Sequence, residues 1–331
     1  TAFLGQFLIY TQKLAVPGLS LMFLSGILLF LSSKSAAAQS PGARPQAEIS
    51  LLALILLFAA FLRFYGLDSL LPGLSGLEGK LAADAALTMN GSHISGSAPD
   101  IYRNIIAAVF AAAGPGAVEA RAVSALIGVL SAAAVYFLAR QAFGAAPALI
   151  TGFLFSSLSW PLAGSRIALD ESLTVLLVAT TLYFGFKAYK TGFAAYFLAC
   201  GICAGLAVYS PSQAWLMPLA MASCLAYAVL FERQFLFRNM KKVLAAAAVF
   251  AVSALPFFVY ALKNTDALAQ SARSSLIFSD ANMAGLSAGK SHIEAYIISA
   301  KKVFLMFNLP AGGNALSDIA GLPTLDFVTG A

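Results

Sequence analysis

The sequence predicts an all-α integral membrane protein: a polytopic helical bundle of about eight transmembrane helices, with interfacial helices in the exterior loops. Two observations carry that prediction. Hydrophobic residues make up 60% of the chain and charged residues only 10%, with a mean hydropathy of +0.85, which leaves too little polar surface for a water-soluble fold. The apolar runs are also continuous and lack the two-residue alternation of a membrane barrel, so each spanning segment must satisfy its backbone internally as a helix.

Seven runs approach the roughly 20 residues that a hydrocarbon core of about 30 Å demands. They lie near 16–33, 49–65, 119–139, 147–163, 171–189, 193–209 and 214–231. An eighth, 243–262, contains Pro256, which removes a backbone hydrogen bond and is expected to kink the helix. Lys13, the run Leu14–Leu31 and the small residues from Ser35 to Ala38 are similar to a signal peptide. Val16–Ser33 is read as a retained span, followed by a Pro- and Gly-containing linker, Lys34–Glu48. The predicted organisation is an extra N-terminal helix and linker (1–48), a core (49–262) with a long first exterior loop (66–118), and an exterior tail (263–331).

Loop charge orients the bundle. Lys34, Arg44, Arg140, Lys187, Lys190, Arg233, Arg238, Lys241 and Lys242 fall on one side, against only Glu48 and Glu232. The positive-inside rule makes that side cytoplasmic. Every other acid then faces the exterior. The net charge of +6 comes from basic residues scattered at span ends rather than from a stripe, so lipid headgroups, not nucleic acid, are the predicted partners.

The exterior loops hold three pieces that are too short or too polar to cross: Glu78–Asn90, Ile101–Ala113 and, in the tail, His292–Phe307. Their apolar residues recur at helical spacing, which predicts helices lying in the interface plane. Glu78 stands alone as an acid in the first of them and is the leading candidate for chemistry; the plainer reading is a first-turn acid complementing the helix macrodipole. Arg166, Asp170 and Glu171 are read equally as anchors of a turn between two spans. His93 and His292 have no metal-ligand spacing, so no metal or cofactor is predicted. Cys200 and Cys203 spell CxxC inside an apolar run where thiolates are disfavoured. Gly201 and Gly205 in the same run form a GxxxG that permits close helix approach. Asn90-Gly91-Ser92 spells a glycosylation acceptor.

The order of several stretches carries a family resemblance. EARAVSALIGVLSAAAVYFLARQAFG (119–144), SSLSWPLAGSRIALDESL (156–173), GLAVYSPSQAWLMPLAMASCLAYAVL (205–230), ALPFFVYALKNTDALAQSARSSLIF (254–278), KKVFLMFN (301–308) and GLPTLDFVTGA (321–331) follow one another along the chain. Together they resemble the C-type membrane glycosyltransferases, specifically bacterial relatives of the dolichyl-phosphate-mannose protein mannosyltransferases, over roughly residues 49–331. The family pattern continues into further spans, so the sequence reads as a fragment or a shortened member.

The resemblance implies transfer of a sugar from a polyprenyl-phosphate donor to an acceptor on the exterior face of a bacterial cytoplasmic membrane. A first-loop carboxylate would act as general base and cations would hold the departing phosphate. The matching acid is Glu78. Arg166 and Arg273 are the nearest candidates for the phosphate, with Lys80 and Arg103 behind them. The chain also departs from the family, which usually carries adjacent Asp-Glu, with the Asp as base; here the pair reads Leu77-Glu78. Gly96-Ser97-Ala98-Pro99 and Asn314–Gly321 lack polar residues that relatives place there. A second reading follows: a catalytically silent relative kept as a structural subunit among partner membrane subunits. A transporter is disfavoured because Arg63, Arg121, Arg140, Arg166, Asp170 and Glu171 all fall at span ends.

Overall fold

The structure, a computed structural model, describes residues 45–68, 74, 76–91, 99–209 and 232–265. The chain divides into two compact units. Nearly all described residues belong to the one built from Ser40–Ser157 and Pro161–Tyr260; the other comprises Thr1–Gln39, Leu158–Trp160 and Ala261–Ala331. The expected spans 16–33 and 214–231, the tail helix His292–Phe307 and Arg273 lie outside the described residues.

The described residues are helical, without strands. They form α1 (Pro45–Phe64), α2 (Gly76–Met89), α3 (Ile101–Ala113), α4 (Ala117–Phe143), α5 (Ala145–Ser157), α6 (Ser159–Gly164), α7 (Glu171–Thr191), α8 (Ala194–Ala207) and α9 (Arg233–Lys263). Four of these are long and apolar enough to cross a membrane: Gln46–Phe64 of α1, then α4, α7 and α9. They coincide with four of the predicted spans.

Two other predicted spans are shorter than expected. The run 147–163 breaks into α5 and α6 at Leu158. Pro161 explains the break, because it has no N–H to give the carbonyl of Ser157 and its ring crowds that carbonyl. The run 193–209 forms α8, apolar but only 14 residues long. About eight crossings is therefore more than the four long apolar helices found among the described residues. The loop expected at Glu232–Lys242 is corrected as well: Arg233–Lys242 is the first part of α9, which runs on through Pro256.

Helix ends follow local chemistry. Pro45 opens α1 where no intrahelical donor is needed. Asp100 caps α3, accepting from the backbone N–H of Tyr102 at 2.8 Å and of Arg103 at 3.2 Å. Gly192 ends α7 in the left-handed region at φ 64, its N–H bonded to the carbonyl of Ala188.

α4 is the centre of the unit. It packs against α7, α5, α1 and α3, and 56% of its most apolar stretch is buried, against 17% for α1 and 22% for α7. Its buried face is lined by small residues, including Ala120, Ser124, Ala125, Gly128, Ser131 and Ala132, which let neighbouring backbones approach. The outer helices turn large side chains away from the unit: Leu54, Leu57 and Phe61 of α1 and Ile150 of α5 are exposed, as lipid contact requires. α2 and α3 pack together on α4 around Ala85, Tyr102, Ile106, Phe110 and Ala120. The segment between α1 and α4 thus contains a packed helical pair.

The GxxxG of α8 finds its partner in α9. A Cβ at Gly201 would stand 2.4 Å from the carbonyl oxygen of Ala246, and one at Gly205 2.6 Å from Cβ of Ser253. The first clash is with backbone, which cannot rotate aside. Gly201→Ala is expected to destabilise the protein by about 1–3 kcal/mol through overpacking, read as a lower melting temperature in detergent, whereas Gly76→Ala, facing open space, should leave it unchanged.

Candidate functional site

Glu78, in the first turn of α2, is fully buried, and its partner Arg121, in the first turns of α4, is 3% exposed. The pairing is two-pronged: Arg121 Nε donates to Oε1 at 3.0 Å and Nη2 to Oε2 at 3.1 Å. Oε1 also accepts the backbone N–H of Ala168 at 2.9 Å. Arg121 Nη1 donates to the carbonyl of Leu67 at 3.2 Å. One buried ion pair thereby ties α2, α4, the segment after α1 and the segment before α7. Such a fork is the strongest geometry available to an arginine and a carboxylate.

Beside this tie lies a small cleft lined by Asp100, Ile101, Tyr102, Asp170, Leu173, Thr174, Leu177, Leu206 and Tyr209. It opens where α3 and α7 begin and α8 ends. Its walls include Ile101 and three leucines, and its acids are Asp100 and Asp170. Burial pushes the Asp100 carboxyl above its ordinary range, and the negative charge of Asp170 adds to that. Tyr102, 1% exposed, shares a hydrogen bond with Ser124 and is held above the phenol range by burial, so it remains neutral. The two carboxylates thus line one cleft and interact through their charges.

A pair of arginines occupies the end of α1. Arg63 is fully buried and donates to the carbonyls of Ala59 and Ser156, both at 3.3 Å, and of Phe155 at 3.5 Å. Arg166 donates to Leu62 at 3.0 Å and to the carbonyl of Tyr65. Burial lowers the Arg166 pKa. Both guanidinium groups sit at negative helix ends, which they neutralise. Gly128 makes room for this: a Cβ there would stand 2.7 Å from Arg63 Nε and 2.5 Å from Cβ of Ser165.

The predicted site residues are thus spread over distinct settings. Glu78 is enclosed by Arg121. Arg166 holds the end of α1. Arg103 follows the Asp100 cap and acts electrostatically on it. Lys80 is exposed on α2. Arg273 lies outside the described residues. Sequence reasoning missed Arg121 and Arg63 as partners, and weighed Asp170 as a turn anchor against donor binding rather than as the companion of Asp100. An arginine in the first turns of α4 runs against the helix macrodipole, and that was the available signal for a nearby acid.

The buried pair and the cap give two expectations. Glu78→Gln and Arg121→Met should each cost about 3–5 kcal/mol, while the double apolar variant Glu78→Leu/Arg121→Met should recover much of the loss; thermal melts in detergent decide. For Asp100 the folded state keeps its proton above the ordinary 3.8, so it binds more protons than the unfolded state and stability falls as pH rises through that interval. Asp100→Asn keeps an equally good cap and should flatten this slope in melts taken from about pH 4 to pH 8.

Residues 98–260 match the family described as dolichyl-phosphate-mannose-protein mannosyltransferase. No curated protein matches the chain. The matched stretch takes in both acids of the cleft, Arg121, Arg166 and the helices from α3 to most of α9. Over residues 98–260, this helical membrane protein is similar to the dolichyl-phosphate-mannose-protein mannosyltransferase family, and the match supports a membrane glycosyltransferase of that type.

Proposed function

We propose that the protein is a membrane glycosyltransferase that moves a sugar from a polyprenyl-phosphate donor to an acceptor hydroxyl, on the exterior face of a bacterial cytoplasmic membrane. The observation that carries the reading is the cleft: two acids of the matched family region stand among leucine side chains at one end of the bundle. An amphiphilic donor needs that combination, with an apolar wall for its chain and polar groups where its sugar begins.

In this scheme Asp170, with Asp100 beside it, takes the proton of the acceptor hydroxyl. The acceptor oxygen forms a bond to the anomeric carbon, the bond from that carbon to the phosphate oxygen breaks, and polyprenyl phosphate leaves with the electron pair. Arg166, Arg103, Lys80 and Arg273 are the cations proposed to stabilise the phosphate as its charge grows. Glu78 supports the site from behind. Its oxygens already accept three N–H donors, so its proposed part is to hold α2, α4 and the approach to Asp170 in register; the alternative assignment of Glu78 as base requires Arg121 to leave it.

One observation favours the silent-subunit reading: Leu77, where the resemblance expects an aspartate, is 58% exposed and cannot accept a proton. Transfer assays with a panel of polyprenyl-phosphate sugars separate the readings. Asp170→Asn should lower transfer by about 100-fold or more with an unchanged melting temperature, whereas Glu78→Gln should lose activity and stability together. Full activity in both Asp100→Asn and Asp170→Asn would remove the cleft from the mechanism. A wild-type protein inert toward every donor, yet isolated with fixed partner subunits, would establish the structural role.

A further inference from the structure

α9 is 31 residues long, about 46 Å at 1.5 Å per residue, against a hydrocarbon core of about 30 Å. In an upright helix roughly ten residues extend beyond the core, and the polar end is the first ten, RQFLFRNMKK. This arm is seated by one face. Phe235 packs between Tyr189 and Phe197, with ring centroids 4.8 and 6.3 Å away. Leu236 and Asn239 are buried. Lys242 Nζ donates to the carbonyl of Gly192 at 2.6 Å and to Asn239 Oδ1 at 3.0 Å, which pins the arm to the α7–α8 turn.

The opposite face carries Arg233, Arg238 and Lys241, all exposed, together with Phe237 at 72% and Leu244 at 60% exposure. Helical spacing puts Phe237, Lys241 and Leu244 on one stripe, with Arg238 beside it. The first turn of α9 has no acid, and Glu232 is the acid just before it. Cations gathered at the positive end of a helix repel both one another and the macrodipole. An anion lying along this face would reverse the sign of that interaction.

We propose that the arm of α9, Arg233–Lys242, is a docking site for anionic phospholipids: Arg238 and Lys241 bind headgroup phosphates while Leu244 reaches the acyl region and Phe237 lies at the interface beside the glycerol and first chain carbons. Charge complementarity and the excess length of α9 select this occupant. The exposed apolar residues on the same stripe require a phosphate attached to a hydrocarbon chain rather than a free anion. The proposal is independent of the transfer chemistry at the cleft.

The test uses the full chain in lipid nanodiscs, with Phe237→Trp as reporter in a Trp160→Phe/Trp215→Phe background and brominated lipids as quenchers. Brominated phosphatidylglycerol should quench the tryptophan far more than brominated phosphatidylcholine does at equal mole fraction. The preference should fall about fivefold for each cation removed by Arg238→Gln and Lys241→Gln, and Arg238→Lys should keep it. Equal quenching by the two lipids, or a preference unchanged in the double glutamine variant, would overturn the proposal. A second measurement uses the unaltered protein in detergent: phosphatidylglycerol should raise its melting temperature while phosphatidylcholine does not. The same rise with millimolar inorganic phosphate alone would make the site one for free anions and overturn the lipid assignment.

Discussion

The fork between Arg121 and Glu78 is the constraint on which this end of the described unit depends. Both groups have left water, and a buried ion pair of this kind is held up by its hydrogen bonds as much as by its charges. Here the remaining capacity is taken by the backbone of Ala168 and Leu67. The pair therefore fixes chain segments far apart in sequence, and the segment held by Ala168 leads directly into Asp170.

The helices themselves were largely legible. α3 was read with the bounds it has, and in the structure Asp100 and Gly114 cap its two ends. α1, α4 and α7 were visible from length and hydropathy alone. Less visible were features that need a partner to make sense. The amphipathic start of α9 reads as a polar loop until Phe235 and Asn239 have the α7–α8 turn to pack against. The division of α5 from α6 was latent in Pro161, whose effect on the carbonyl of Ser157 a hydropathy window cannot register.

The site divides in the same way. Glu78 was identified as the isolated acid of the first exterior loop, but its partner is 43 residues away and belongs to a helix chosen for its apolar run. An acid that faces a reacting group and an acid that faces an arginine look alike in sequence. Asp170 illustrates the converse: its position at the start of α7 explains it locally, yet the meeting with Asp100 across the cleft arises only when α3 and α7 are packed on α4.

Arg63 has a consequence for how the bundle assembles. At the end of an isolated α1 its guanidinium reaches interfacial water; in the folded unit it is wholly enclosed and leans on the carbonyls of Phe155 and Ser156 at the end of α5. The cation can give up its hydration only when that second helix arrives to replace it. Lateral docking of α1 and α5 is therefore a joint event, in which neither helix reaches its native depth and rotation before the other is present.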